Sequence, residues 1–257
     1  MKIISYNVNG LRSAIRKGLL DWLAKESPDI ALLQEIKLQR EQARDNWFHQ
    51  IGYPYVYWNF ADKKGYSGTL TLSKYRPKQV ETTMHMPQYD AEGRSILTVF
   101  DHMAVLNLYI PSGSVSEQRH QFKMQFLHDF EPYLRTLIEQ YPKLIVGGDF
   151  NIVHTEKDIH NPERKDNPSG YRPEERAWLD HVFKDYLVDV FRYLHPDTIE
   201  FSWWSYRAAS RQRNKGWRID YIAVTPPLLQ YLRSARHARE AVHSDHCPVV
   251  AEFDNLL

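Results

Sequence analysis

The sequence predicts an α+β layered sandwich, with two β-sheets packed face to face and helices outside. Strand-like apolar stretches recur from one end of the chain to the other, few stretches carry helical spacing, and the two kinds occur in mixed order. In sequence order the strand candidates are "KIISYN", "DIALLQE", "YPYVYWNF", "SGTLTLS", "RSILTVF", "MAVLNLYI", "KLIVGGDF", "TIEFSWW", "WRIDYIAV" and "CPVVAEF". Several are rich in β-branched or aromatic residues and bounded by Gly, Pro, Asn or Asp, which favour turns over strands.

Helical spacing appears first in "GLLDWLAKE", through Leu19, Leu20 and Leu23. It returns in "SVSEQRHQFKMQFLHDFEPYLRTLIEQYP", where Phe122, Phe126, Phe130, Leu134, Leu137 and Tyr141 form a stripe. Ser114 and Glu117 stand there in capping-box spacing, and Pro132 predicts a kink or interruption. "PEERAWLDHVFKDYLVDVFRYLHP" reads as a further helix stopped by Pro196. Between the strands lies one long polar segment, "HTEKDIHNPERKDNPSGYRP", and loops of about twenty residues inside compact domains are usually functional or mobile.

The 257 residues are 42% hydrophobic and 25% charged, ordinary for a globular protein and sufficient for a large core. No Gly-, Ser- or Pro-rich linker divides them, so residues 1–257 read as a single domain. The one cysteine, Cys247, rules out an internal disulfide and fits a reducing compartment. Apolar runs are too short to span a membrane, and "MKIISYNVNG" turns polar too early for a signal peptide. The expectation is a soluble cytoplasmic protein, associated with the nucleoid if bacterial.

A formal net charge of +1 does not by itself suggest a nucleic-acid partner, but its distribution does. From Phe201 to Ile219 the cations Arg207, Arg211, Arg213, Lys215 and Arg218 are uninterrupted by an acid and interleaved with Trp203, Trp204, Tyr206 and Trp217. Guanidinium groups bind phosphate and flat rings stack on exposed bases or sugars. The plainer reading is a solvated basic loop over core tryptophans.

Candidate chemistry gathers at strand ends. "LIVGGDFN" finishes an apolar run with Asp149 and Asn151, which share a face on an extended chain, and its glycines leave room for a ligand or another backbone. "SYNVNG" offers Asn7 and Asn9, "LLQEIK" Glu35, "WRIDYI" Asp220, and "HSDHCPV" Asp245 and His246. Each has an ordinary alternative as turn, surface acid or structural ion pair. There is no phosphate-binding Gly-Lys loop, no Gly-x-Ser-x-Gly elbow, no zinc spacing and no activating context for Cys247. The remaining oxygen-rich set suits a hard divalent cation such as Mg2+, and a histidine with basic surface nearby points to phosphate-ester hydrolysis.

The ordered motifs "NVNGLR", "LLQEIK", "LYIPSG", "GGDFNIVHTEKDIHNP", "GWRIDYI" and "SDHCPV" resemble the exonuclease III family of apurinic/apyrimidinic endonucleases, from Lys2 to about Phe253. The resemblance implies a four-layer α/β sandwich of the endonuclease/exonuclease/phosphatase, DNase I-like type. It implies cleavage of duplex DNA 5′ to abasic sites leaving a 3′-hydroxyl, with 3′–5′ exonuclease action and repair of blocked 3′ ends. It also implies Mg2+ or Mn2+ as cofactor, and a monomer without an obligate protein partner.

Carried across by position, Glu35 resembles the main metal ligand, with Asn7 and Asp245 near the same ion. Asp149 resembles the residue that orients or deprotonates the attacking water. Asn151 beside it would bind the same phosphate or a second metal position, for which Asp149 and His246 are also candidates. Tyr109 resembles a phosphate-contacting or leaving-group-assisting tyrosine. His246 would stabilise the transition state, its ring held by Asp220. Trp203, Trp217 and Ile219 match a pocket for an extrahelical sugar. Ser112, Asn167 and Tyr171 join the basic residues as DNA contacts. Ser112 stands where several members carry Asn, and Pro168-Ser169-Gly170-Tyr171 where Asn-Ser-Gly-Phe is frequent. Ile36 and Thr69-Leu70 read as changes in the packed interior. Two other functions use the same residues: a catalytically silent nucleic-acid-binding regulator, and a phosphatase for small or lipid substrates.

Overall fold

The computed structural model describes residues 1–254 and 256. Its strands, in chain order, are β1 (Lys2–Asn7), β2 (Ile30–Gln34), β3 (Tyr55–Asn59), β4 (Thr69–Ser73), β5 (Gln79–Glu81), β6 (Ser95–Val99), β7 (Ala104–Tyr109), β8 (Leu144–Asp149), β9 (Val188–Asp189), β10 (Asp220–Val224), β11 (Leu232–His237) and β12 (Val249–Phe253). They form two six-stranded sheets, ordered β11-β12-β1-β2-β4-β3 and β5-β6-β7-β8-β10-β9. Each is mixed: β1–β2 and β7–β8 pair in parallel, and the other neighbours pair antiparallel. The helices are α1 (Leu11–Arg16), α2 (Leu19–Glu26), α3 (Asn46–His49), α4 (Pro87–Asp90), α5 (Glu117–Gln140), α6 (Pro173–Asp185) and α7 (Val190–Leu194).

Strand alternation builds the layers. Ile3, Leu32, Val105, Ile145, Ile222 and Val249 point into the interior between the sheets. Their neighbours turn the other way. Ile4, Ala31, Leu33 and Val250 meet α1, α2 and α3 on one outer side. Leu106, Leu144, Val146 and Tyr221 meet α5 and α6 on the other. Because successive side chains of a strand face opposite sides, these apolar strands serve two cores at once. The expected sandwich is present.

Several details differ from the sequence reading. "TIEFSWW" is not a strand; Trp203 makes only isolated bridges to Trp217 and His246. Its backbone is held by Trp217, which shapes a cavity wall instead of extending a sheet. The third helical stretch divides into α6, β9 and α7, because the Asp189 carboxylate accepts from the Phe191 and Arg192 N–H groups and starts a new helix. Helix α5 is capped by Ser116, whose hydroxyl accepts from Arg119 N–H, while Ser114 instead meets the Ser112 hydroxyl. The helix runs through Pro132 without interruption. The missing N–H there would have bonded the His128 carbonyl, on a turn whose side chain is exposed, while Phe126, Phe130, Leu134 and Leu137 remain buried on the inner stripe. Strand β11, "LRSARH", was not anticipated, because its arginines and serine mask a burial pattern in which Leu232, Ala235 and His237 are buried.

Candidate active site

The register brings the site residues together before any side chain is considered. Tyr109 ends β7 opposite Asp149 at the end of β8, and Asp149 lies opposite Asp220, the first residue of β10. In the other sheet Asn7 ends β1 opposite Gln34, immediately before Glu35. The two sheets therefore present their carboxylates at the same end of the sandwich. The glycines before Asp149 serve packing, not a ligand: a Cβ on Gly148 would fall 1.8 Å from the Leu108 carbonyl oxygen.

Between the sheets Asn7 acts as a bridge. Its amide donates to Glu35 Oε2 and Asp149 Oδ2, both at 2.9 Å, and its oxygen accepts from Asn9 N–H. Both amide hydrogens of Asn7 and one acceptor position of its oxygen are thus engaged in bracing the carboxylates. Asn151 donates to the Ile110 carbonyl and to Asp149 Oδ2, so only its Oδ1 is left to offer a ligand, which suits a cation or a water proton and not a phosphate oxygen. Asn9, Glu35, Lys37 and Asn151 all adopt positive φ, from 43° to 58°. Such non-glycine conformations cost about 1–3 kcal/mol each and concentrate where function requires them.

Asp149, Asp220 and His246 bring ligand atoms within 4.8 Å of one another, and all three are buried. His246 Nδ1 lies 2.9 Å from Asp220 Oδ2, which also accepts from the Ser202 hydroxyl at 2.6 Å. Burial and the facing Asp220 carboxylate push the Asp149 carboxyl up to about 7. Burial works against the charged imidazole, yet the Asp220 carboxylate and its hydrogen bond, with Asp245 and Asp149 adding, raise His246 to about 10. His246 is thus a cation at neutral pH. Burial, with Glu35 and Asp149 adding, keeps Tyr109 a neutral phenol.

A second oxygen-rich group lies beside the first. Asp245 Oδ1 accepts from Asn9 and Oδ2 from the Trp203 indole, at 2.9 and 3.0 Å. Although burial opposes it, the His246 charge and these donors hold Asp245 below the usual carboxylate range. Lys37 Nζ lies 2.9 Å from Glu35 Oε1 and 2.6 Å from Asn9 Oδ1, so an ammonium already stands where side-chain oxygens converge. Beside His246, Asp220 Oδ1 is buried and has no hydrogen-bond partner among the described residues. The Glu35 and Asp245 carboxylates, the Asn9 amide oxygen and the ammonium standing among them fit a divalent cation.

Asn9, Glu35, Tyr109, Asp149, Asn151, Asp245 and His246 line a cavity of about 600 Å³. Trp203, Trp217 and Ile219 form its apolar wall; the two indoles meet edge to face with centroids 5.7 Å apart. Gly170 has φ 97°, and a Cβ there would come within 2.9 Å of the Trp217 ring. His160, Arg164, Pro168 and Ser169, from the long loop, and Lys215 and Ser112 also line the cavity.

The basic stretch divides into outward and inward residues. Arg207, Arg213 and Lys215 are exposed. Arg218 is fully buried and ion-paired to Asp158 and Asp189, so it is not a DNA contact. Arg211 donates to the Ser244, His246, Arg239 and Ala241 carbonyls and lies over Trp204, bracing the segment that carries Asp245 and His246. Tyr171 is likewise buried, beneath Trp217, with its hydroxyl donating to the Pro162 carbonyl. In all three cases structural acceptors have taken the group expected to meet DNA. Asn167 is exposed next to Pro168. Sequence reasoning missed Lys37, His160 and Arg164; the flagged loop contained the last two, but nothing local distinguished them from its other polar residues.

The sequence matches the endonuclease/exonuclease/phosphatase family over residues 4–246. The chain belongs to that family. It is 40% identical over 253 residues to an exodeoxyribonuclease of Bacillus subtilis (strain 168), covering 97% of this chain and 98% of that one. It is 36% identical to the DNA repair nuclease APEX1 of Danio rerio, covering 97% and 81% of the two chains. Among solved structures, an AP endonuclease from Archaeoglobus fulgidus aligns with a TM-score of 0.90 at 29% identity, covering 99% of this chain and all of that one. As a member of this family the chain is a hydrolytic nuclease of the exonuclease III type, on a DNase I-like fold.

Proposed function

We propose that the chain is a DNA-repair phosphodiesterase that cuts the backbone 5′ to an abasic site, leaves a 3′-hydroxyl and requires Mg2+. The observation that carries this reading is the shared cavity: Asp149 and His246, the latter backed by buried Asp220, line it together with the apolar Trp203, Trp217 and Ile219. A sugar that has lost its base is already unstacked and is extruded at little cost, and an apolar slot favours it over a complete nucleotide.

Asp149, with a carboxyl near neutrality, is suited to take a proton from the attacking water. The protonated His246 donates from Nε2 to a phosphate oxygen as charge develops, with its ring fixed by Asp220 through Nδ1. Tyr109, kept as a phenol, can donate to the phosphate or the leaving oxygen. Glu35 and Asp245, with Asn9 or the Asn151 oxygen, would hold the cation. When bound, a divalent cation neutralises phosphate charge and orients the ester. Arg207, Arg213 and Lys215 supply phosphate contacts along the strand.

The same constellation suits removal of a 3′-terminal phosphate, and a structural relative from Neisseria, 30% identical with a TM-score of 0.92, is described as a 3′ phosphatase bound to product DNA hairpin. The test is an end-labelled duplex with one abasic-site analogue, beside an undamaged duplex and one with a 3′-phosphate, with Mg2+ and with a chelator. Mg2+-dependent incision 5′ to the analogue is expected. DNA binding without any product would replace this reading with the silent binder. Turnover of a small phosphate ester with none of DNA would replace it with the phosphatase.

A further inference from the structure

Lys123 of α5 and Glu175 of α6 form an ion pair at 2.6 Å with both side chains fully buried, and neither belongs to the cavity wall. Replacing such a pair by well-packed apolar groups is often neutral or stabilising, so net stability is a weak reason for its presence. The bonds around it suggest another. Lys123 Nζ donates to the Asn151 carbonyl at 2.7 Å. Glu175 accepts from the Ser169 hydroxyl through Oε1, and from Gly170 N–H and Arg172 N–H through Oε2, at 2.9, 2.6 and 3.0 Å. One partner therefore holds the chain where the long loop leaves β8, and the other holds it where the loop returns. Val153 N–H, donating to the Gly170 carbonyl at 2.7 Å, closes the two ends together.

Both ends touch the chemistry. Asn151, with φ 53°, donates its N–H to Asp149 Oδ1 while its carbonyl is drawn the other way by Lys123. Gly170 sits against the Trp217 ring, and the intervening loop brings His160, Arg164 and Pro168 to the cavity. We propose that Lys123 and Glu175 are a positioning pair that holds Asn151 beside Asp149 and the loop against Trp217, for the reaction proposed above on which this inference rests. A displacement of about 1 Å at a reacting geometry can cost on the order of a hundredfold in rate, so a pair remote from substrate can control turnover.

The test compares wild type with the double variant Lys123→Met/Glu175→Leu, which removes both charges together, well below either melting temperature. Two readouts are taken: tryptic cleavage after Lys157, Arg164 and Lys165, and kcat and KM for the abasic duplex per folded molecule. The expected result is a loop cut at least tenfold faster at unchanged global stability, and kcat lowered about 10–100-fold with KM altered far less. An unchanged cleavage rate of the loop, or a kcat within twofold of wild type, overturns the proposal. If the double variant fails to fold, Lys123→Arg, which keeps the charge and a donor, must retain loop protection and most of kcat; loss of neither in Lys123→Ala would overturn it equally. A wild type inactive on every DNA removes the functional reading instead, and the protease result then decides the pairing alone.

Discussion

Asp149 and Asp158 lie a short way apart along the chain, are both buried, and have opposite surroundings. Among the described residues Asp149 accepts from the neutral donors Asn7 and Asn151, and it faces the carboxylate of Asp220. Asp158 accepts from Arg218 Nε at 2.7 Å, from Arg192 Nη2 at 2.6 Å and from the Thr155 N–H and hydroxyl. The first carboxyl is pushed up to about 7. The second, although burial opposes it, is held by the Arg218 and Arg192 charges well below the usual carboxylate range. A buried carboxylate with guanidinium partners is a permanent anion that locks structure. One that faces another carboxylate can exchange protons, which is what a general base requires.

The largest effect expected from this contrast is on turnover. Asp149→Asn keeps the shape and lowers Mg2+-dependent cleavage of an abasic duplex by about 10²–10⁴-fold, with unchanged or raised thermal stability, as a kinetic assay and a melting curve on one preparation would show. Asp158→Asn leaves Arg218 buried beside a neutral group. Urea unfolding should reveal a loss of about 3–5 kcal/mol, with kcat per folded molecule close to wild type. If Asp149→Asn proved the more destabilising of the two, the contrast would be wrong.

The pH dependence separates them further. The raised Asp149 carboxyl binds a proton in the folded state near pH 7, whereas the unfolded group does so only near its ordinary 3.8. Its charge therefore costs stability above pH 7, and the cost disappears as pH falls from 7 toward 4. In chelator, Asp149→Asn should stabilise the fold more at pH 8 than at pH 5. For Asp158 the folded value lies below the unfolded one, so its contribution is complete above the ordinary carboxylate range and is lost only as pH falls through the lowered folded value. The deficit of Asp158→Asn should stay constant from pH 8 to pH 5. Denaturation midpoints across that range give both curves.

The smallest expected effects come from the basic stretch. Arg211→Ala unpairs the carbonyls behind Asp245 and His246 and should cost about 1–3 kcal/mol in urea, with little change in the salt dependence of DNA binding. Lys215→Ala should leave the melting temperature alone, weaken DNA binding and lower its salt slope by about 1. Equal salt slopes for the two variants would show that the inward and outward residues had been wrongly separated.

Strand identity, layer type and most of the site were legible in the sequence because they depend on local pattern. Apolar alternation marks "KIISYN" and "KLIVGGDF" as strands whatever lies beside them, and acids or amides directly after such runs mark Asn7, Glu35 and Asp149 as strand-end groups. The resemblance of the ordered motifs supplied the family. Partner choice was not legible. Arg211, Arg213, Lys215 and Arg218 look alike in sequence, and only the positions of Asp158, Asp189 and the carbonyls near Asp245 decide which are spent inside. "TIEFSWW" has strand composition, but its edge meets Trp217 and His246 in place of a sheet. The proton affinities of Asp149 and Asp158 were equally hidden, since they follow from charges brought close by β10 and by Arg218, far along the chain. Local pattern fixes which residues are extended and which are apolar; the long-range pairing of strands fixes which charges meet, and that sets the chemistry.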